Sequence, residues 1–591
     1  MKNRSILILL FSFFFFLAFP AQAAEKNYVT LVFPVRSRDF WWQGRDLSHL
    51  TRLIASVSAT RLPSTWLVQY DALLDDQIVD QLHSLENQAE KGVFLEVTRR
   101  LAEDSFVPYA WEHGPWTSAN LLFLSGYQPL DRLRMIDKAF STFKDKFGNY
   151  PKSFGAWYVD VASIEYIKQK YGAIALLGLA DQYATDGYQT WGQYFSQPYF
   201  VSRKSAIEPA ADASDNTGVI KLQWAPRDPV RGYGTSGDYS NFSVQVNDYF
   251  RNKGLDKNYF DRLLKTLTLD ASGPLSQTVI GIEAAELEPE YWTALTDQLN
   301  LVKKYVSRGL LVAETMSRFA DIYTAAFPKT SPQITLSGSN AGTTFWWFNS
   351  PGFRLALGLE NGILKIKDLR YYHYSSLRDN DQVFPDPNPN LTRVVPAVVD
   401  QAALGNEIIL GRPSKINNPP GHFAWPGGSL DVTPAGPVIN GGPPVPRPAG
   451  VSVPDRRCFG EYGGYRPPLG CLKQLAVFLA RFIPDIRYSS LSGQKFLGLR
   501  IGPEYLWGLR FPKIRLGRFY FKFPLLENFI SLRSRLTPDF SWEGKQEIEI
   551  SSFRSNAKIV RKIGQYGHDS LLELANPPKI FENSYYLVFK P

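Results

Sequence analysis

The chain has 591 residues, 44% hydrophobic and 20% charged. That balance excludes an intrinsically disordered protein, and the length excludes a single hydrophobic core. The formal net charge of +9 is unevenly placed: residues 451–591 carry 22 Lys and Arg against 12 Asp and Glu, so the first 450 residues are close to neutral. The two Cys, Cys458 and Cys471, exclude a cysteine metal cluster. The six His, none spaced i,i+3 or i,i+4 from another, argue against a histidine-rich zinc site.

The N-terminus reads as a secretory signal. "MKNRS" is basic, "ILILLFSFFFFLAFP" is an apolar run of 15 residues, and "AQA" at 21–23 fits the small-residue cleavage pattern. Cleavage is expected after Ala23, giving an exported chain; a retained anchor is the alternative, with a run shorter than the roughly 20 residues of a spanning helix. Export into an oxidising compartment makes a Cys458–Cys471 bridge the expectation.

From 24 to 330 apolar β-like runs alternate with helical patterns. Strands are expected at 28–35, 64–70, 92–97, 152–160, 173–181, 219–228 and 276–286, with amphipathic helices between them. "DDQIVDQLHSLENQAE" opens on acidic residues that suit a helix N-terminus, and "LDRLRMIDKAFSTFKDKFG" closes on Gly148 as a C-cap. Seven βα units in succession imply an α/β fold with a parallel sheet closed into a (β/α)7-type barrel. From 331 to 432 the pattern changes to short strands with Gly and Asn turns, "ENGI" among them, and a β-sandwich-like domain is expected. Residues 433–450 read as a Pro/Gly linker. Residues 451–591 form a β-rich basic segment with one helical stretch, "CLKQLAVFLARF", and its fold is unassigned. Its charge suits an anionic envelope polymer or a membrane surface, or is an ordinary solvated face.

Within the barrel region "YDALLDDQIVDQL" and "RLRMIDKAFSTFKDKFGNYPKSFGAWYVDVASIEYIKQKYGAIALLG" resemble the polysaccharide deacetylase-like superfamily, which includes the family 57-type glycoside hydrolases. The resemblance implies a (β/α)7 barrel over about 28–320. Metal-dependent deacetylases of this superfamily carry an Asp pair after strand one, His-x-x-x-His after strand three and a His at strand seven. Here strand one ends with the single Asp39, the paired-histidine positions read Glu96 and Arg100, and strand seven ends on Glu283. Two imidazole ligands are absent, so the sequence calls for no metal and no cofactor.

What remains is a set of acids and aromatics at predicted strand ends, the face where βα barrels place their sites. In family 57-type relatives the nucleophile follows strand four and the acid/base follows strand seven. By strand count these are Asp160 and Glu283, with Asp and Glu exchanged relative to that family. Glycoside hydrolysis needs such a carboxyl pair. Asp39, Trp41, Glu96, Arg100, Trp111, His113, Trp157, Asp181, Trp224 and Asp228 are the substrate-binding candidates. Each has a structural alternative. Asp160 suits a helix N-cap, Glu96 with Arg100 a salt bridge, Asp181 and Asp186 a turn, His113 a satisfied loop histidine, and Trp41 core packing. The expected function is therefore a secreted glycosidase acting on an envelope or extracellular polysaccharide or oligosaccharide. The alternatives are a non-catalytic glycan-binding protein on a degenerate deacetylase barrel, or a deacetylase with an oxygen-rich metal site from Asp39, Glu96 and Glu283. No nucleotide-binding glycine loop or serine-nucleophile elbow occurs, and nucleic acid is not an expected partner.

Overall fold

The strands that organise the first part of the chain are β1 (Lys26–Val35), β2 (Ser64–Gln69), β3 (Ala89–Phe94), β4 (Ser153–Gly155) and β5 (Ala175–Leu179). A short excursion follows: β6 (Gln182–Thr185), β7 (Tyr188–Trp191) and β8 (Tyr199–Ser202). The series then ends with β9 (Asn216–Trp224) and β10 (Leu275–Ile280). In this computed structural model the described residues are 26–38, 46–85, 89–109, 118–284, 290–372, 385, 389–416, 421–425, 428–433, 436–441 and eight strand segments between 485 and 574. Residues 1–23, read from the sequence as a signal, Asp39, Trp41, Trp111, His113, Cys458, Cys471, residues 442–450 and the stretch at 471–482 expected to be helical lie outside them.

The sheet order is β10-β1-β2-β3-β4-β5-β9-β8. Every pair from β10 to β9 is parallel, and β8 adds antiparallel at the β9 edge. Each of the seven parallel strands overlaps one of the seven apolar runs read from the sequence, with β3 starting three residues before the expected 92–97 and β4 much shorter than the expected 152–160. Parallel strands are covered on both faces, so their signature is a continuous apolar run, and β2 is buried along its whole length. The sheet curls until β9 and β10 approach each other. Gly281 permits part of this approach: a Cβ there would fall 1.7 Å from the Val32 carbonyl oxygen and 3.3 Å from Trp224.

The helices start and stop for local reasons. Asp75 caps Asp76–His83 by accepting from the Gln77 and Ile78 amides. Pro129 opens Pro129–Phe147, and Gly148, at φ 84°, closes it in the left-handed conformation that glycine tolerates best.

The chain divides into two compact units, Met1–Ala356 with Asp379–Val395, and Leu357–Arg378 with Pro396–Pro591. The first unit holds the curled sheet and also the hairpin Gln333–Asn340/Thr343–Asn349. The described strand pairs of the second unit are antiparallel. Ile363–Tyr371 pairs with Val399–Asp400 and Ile408–Gly411, and it follows a two-residue turn in which Asn361 and Gly362 have φ of 51° and 74°. That is the "ENGI" hairpin expected from the sequence. A second sheet runs through His422–Trp425, Gly428–Thr433 and Gly436–Gly441. Residues 436–441, read as linker for their Gly and Pro content, are thus a strand, because the neighbouring strand satisfies their backbone.

Candidate active site

Six side chains converge beyond the C-terminal ends of the parallel strands. Arg36 follows β1, Gln69 ends β2, Glu96 lies two residues past β3 and Trp157 two past β4; Trp224 ends β9 and Glu283 lies three past β10. At their centre is the Arg36 guanidinium. Its Nε donates to Glu96 Oε2 at 2.7 Å and its Nη2 to Glu96 Oε1, a bidentate pair. Its Nη1 donates to Glu283 Oε2. Gln69 Nε2 donates to Glu96 Oε2 at 3.1 Å, and the Ser37 amide holds Gln69 Oε1 at 3.2 Å. The guanidinium also lies 5.4 Å from the Trp157 ring centroid and 5.7 Å from that of Phe94. The side chains of Arg36 and Glu96 are 1% and 0% exposed, whereas Glu283 is 10% exposed. Glu96 therefore backs the cluster, and Glu283 faces outward.

Glu283 opens onto a cleft of about 220 Å³, walled by Trp157, Trp224 and Tyr188. The two indoles lie 5.6 Å apart at 45°. Burial, aided by the charges of Asp186, Glu283 and Glu96 and opposed by Arg36, pushes the Tyr188 hydroxyl well above its ordinary range, so it remains a neutral donor. Side-chain amides from Gln182, Asn241, Gln245 and Asn247 complete a polar lining.

The cleft is also lined by Asp248, in the π-helical turn Asn247–Asn252. Ser243 donates to Asp248 Oδ2 at 2.6 Å, and Arg227 Nη1 stands 3.6 Å from the same oxygen. The Arg227 guanidinium is largely spent on backbone carbonyls, those of Asp181 at 2.9 Å and Ser240 at 2.5 Å. Desolvation outweighs both partners and pushes the Asp248 carboxyl up to about 6. Asp186 also lines the cleft, at the tip of the β6–β7 hairpin with φ 52°. Burial raises its carboxyl too, against Arg227 and Arg36, but the residue is exposed and solvent screens the effect.

The described candidates separate into three groups. Trp157, Trp224 and Glu283 line the cleft, and Glu96 supports it from behind. Asp160 does not reach it. The side chain is 0% exposed, accepts from the Ser163 amide at 3.0 Å as the N-cap of Val161–Tyr171, and pairs with buried Arg132 at 3.0 Å. Asp181 pairs with buried Arg354 and accepts from the Gln193 amide, and Asp228 accepts from the Val230 and Arg231 amides. Arg100 is exposed on the helix Arg99–Asp104 and pairs with Asp104 at 3.1 Å, not with Glu96, because Glu96 precedes the helix and points inward to Arg36. Sequence reading passed over Arg36, Tyr188, Arg227 and Asp248. Arg36 had a usable signal, a cation immediately after the first apolar strand; Asp248 lies in an excursion without strand or heptad pattern.

The geometry does not suit a divalent cation. Both Glu96 oxygens and Glu283 Oε2 accept from Arg36, so the carboxylates that would take over the missing histidine positions already share a cation.

Comparison with solved structures places this fold. A protein from Parabacteroides distasonis, described as a "putative glycoside hydrolase/deacetylase", matches with a TM-score of 0.50 and 17% identity over 65% of this chain and 93% of that one. Over that span the chain shares the fold of that protein. A family 57 branching enzyme from Thermococcus kodakaraensis in complex with glucose matches at TM-score 0.28 and 12% identity, over 50% and 71% of the two chains. The peptidoglycan deacetylase PdaC from Bacillus subtilis matches at TM-score 0.24 and 11% identity, over 51% and 94%. A family model described as a domain of unknown function with a solved structure, DUF3863, matches residues 119–326. Among curated proteins no relative matches the chain.

Proposed function

We propose that the chain is a glycoside hydrolase acting through Glu283 and Asp248. The observation that carries this is a pair of carboxyl groups in opposite electrostatic settings within one aromatic-walled cleft. Glu283 accepts a hydrogen bond from the Arg36 guanidinium, and Asp248 is raised to about 6 by burial. Two carboxyls in such different surroundings can divide the work of glycoside cleavage. Protonated Asp248 gives its proton to the leaving glycosidic oxygen as the C–O bond breaks. Glu283 either attacks the anomeric carbon or takes a proton from the water that attacks it. The indoles supply faces for sugar rings, and the amides supply donors and acceptors for hydroxyls. Asp248 takes the place expected of Asp160, whose oxygens are committed to the helix cap and Arg132. The N-terminal signal pattern makes the substrate an envelope or extracellular polysaccharide, with the basic segment 451–591 supplying contact to an anionic polymer or membrane surface.

The test is release of reducing sugar from a panel of polysaccharides by wild type, Glu283→Gln and Asp248→Asn. Turnover abolished or strongly reduced in both variants is expected; turnover by both at the wild-type rate would sink the assignment. One observation favours a second reading, a glycan-binding protein without turnover: the Glu283 oxygen facing Arg36 is already hydrogen-bonded. Retention of a polysaccharide on the immobilised protein, with no product under any condition, would establish that reading instead.

A further inference from the structure

The Arg36 cluster has the anatomy of a metal site with a guanidinium at its centre. Two carboxylates from strands far apart in sequence, Glu96 and Glu283, turn toward one buried positive charge. A further side chain, Gln69, steadies the first of them and is in turn fixed by the Ser37 amide. Burying an unpaired carboxylate is costly, and burying two beside each other is more so, so the pair requires a cation. Arg36 meets that need with its planar, permanently charged fork, which contacts both carboxylates at once. Its flanking rings, Phe94 and Trp157, hold the plane in place.

We infer that Arg36 stands in for a divalent ion: its one positive charge bridges and orients Glu96 and Glu283, and it thereby excludes metal from the site. Arg36 is a positioning residue, since it sets the direction of Glu283 toward the cleft. Replacing it by a small neutral residue leaves two carboxylates around a space, an oxygen-donor pair that suits Mn²⁺ or Mg²⁺ better than Zn²⁺.

The experiment is metal titration of the protein, stripped with chelator, by calorimetry and by thermal unfolding with Mn²⁺, Mg²⁺, Zn²⁺ and Co²⁺. Wild type is expected to bind none of them stoichiometrically and to show no change in Tm. Arg36→Ala is expected to bind one Mn²⁺ per chain with an upward shift in Tm. That binding is expected to be lost in Arg36→Ala/Glu96→Gln. One ion bound per wild-type chain and lost in Glu96→Gln would overturn the inference, and so would a folded Arg36→Ala that binds none. Should Arg36→Ala fail to fold, Arg36→Lys keeps the question open to measurement. Its single ammonium should preserve the fold and leave the protein metal-free, and stoichiometric Mn²⁺ binding by it would count against an excluding cation. These readouts need no substrate, so they stand or fall separately from glycoside hydrolysis.

Discussion

Two arginine–carboxylate clusters line one cleft, and they are built differently. Arg36 gives all three of its donor nitrogens to carboxylates, and Glu96 and Glu283 share one sealed charge. Arg227 spends its donors mainly on the backbone carbonyls of Asp181 and Ser240 and stands 3.6 Å from Asp248. The difference teaches that an adjacent arginine does not by itself decide a carboxyl group's charge. Where the guanidinium is committed elsewhere, desolvation wins, and Asp248 rises to about 6.

The largest effect expected from breaking this contrast is Glu283→Gln, which removes the only carboxylate of the Arg36 cluster that lines the cleft. Initial rates of sugar release should fall roughly 10³-fold or more, with folding retained by circular dichroism. Asp248→Asn should cost roughly 10²–10⁴-fold in kcat. It should also abolish the loss of activity expected of wild type as pH rises through about 6, where the proton needed for the leaving group is lost. A pH–rate profile of kcat/KM checks both, and an unchanged alkaline limb in Asp248→Asn would remove Asp248 as the acid.

Asp160→Ala sharpens the comparison from outside the cleft. It leaves Arg132 buried without its carboxylate and the helix without its cap, so denaturant unfolding should show a loss of about 3–5 kcal/mol, while kcat of the folded protein changes little. A smaller stability effect follows from Asp248. Its folded pKa lies above its unfolded value, so the unfolded state ionises first as pH rises, and stability falls between about pH 4 and 6. The total is at most roughly 3 kcal/mol, and Asp248→Asn should flatten that slope. The smallest expected change is Trp224→Ala, with KM raised roughly 3–10-fold and kcat nearly kept, as for the loss of one aromatic contact.

The parallel core was legible in the sequence because its signal is local. Strands covered on both faces must be continuously apolar, and helices between them declare themselves through Asp75, Pro129 and Gly148. Glu283 and the two indoles were legible for the same reason, since a strand end read from the sequence also locates the residues that follow it. The roles of the acids were not legible. Asp160, Asp181, Asp228 and Glu283 all follow an apolar run, and only their partners separate them: Arg132 for the first, Arg354 for the second, backbone amides for the third and Arg36 for the last. Those partners lie between 2 and 247 residues away in sequence, and no periodicity encodes them. Asp248 is the extreme case, a carboxyl whose chemistry comes from desolvation. The sequence by itself determined which segments form the curled sheet and which end of it gathers polar groups. Only the tertiary structure decided which carboxyls are caps, which are locked to arginine and which keeps a proton, because charge state depends on burial and on the distance to the nearest free cation.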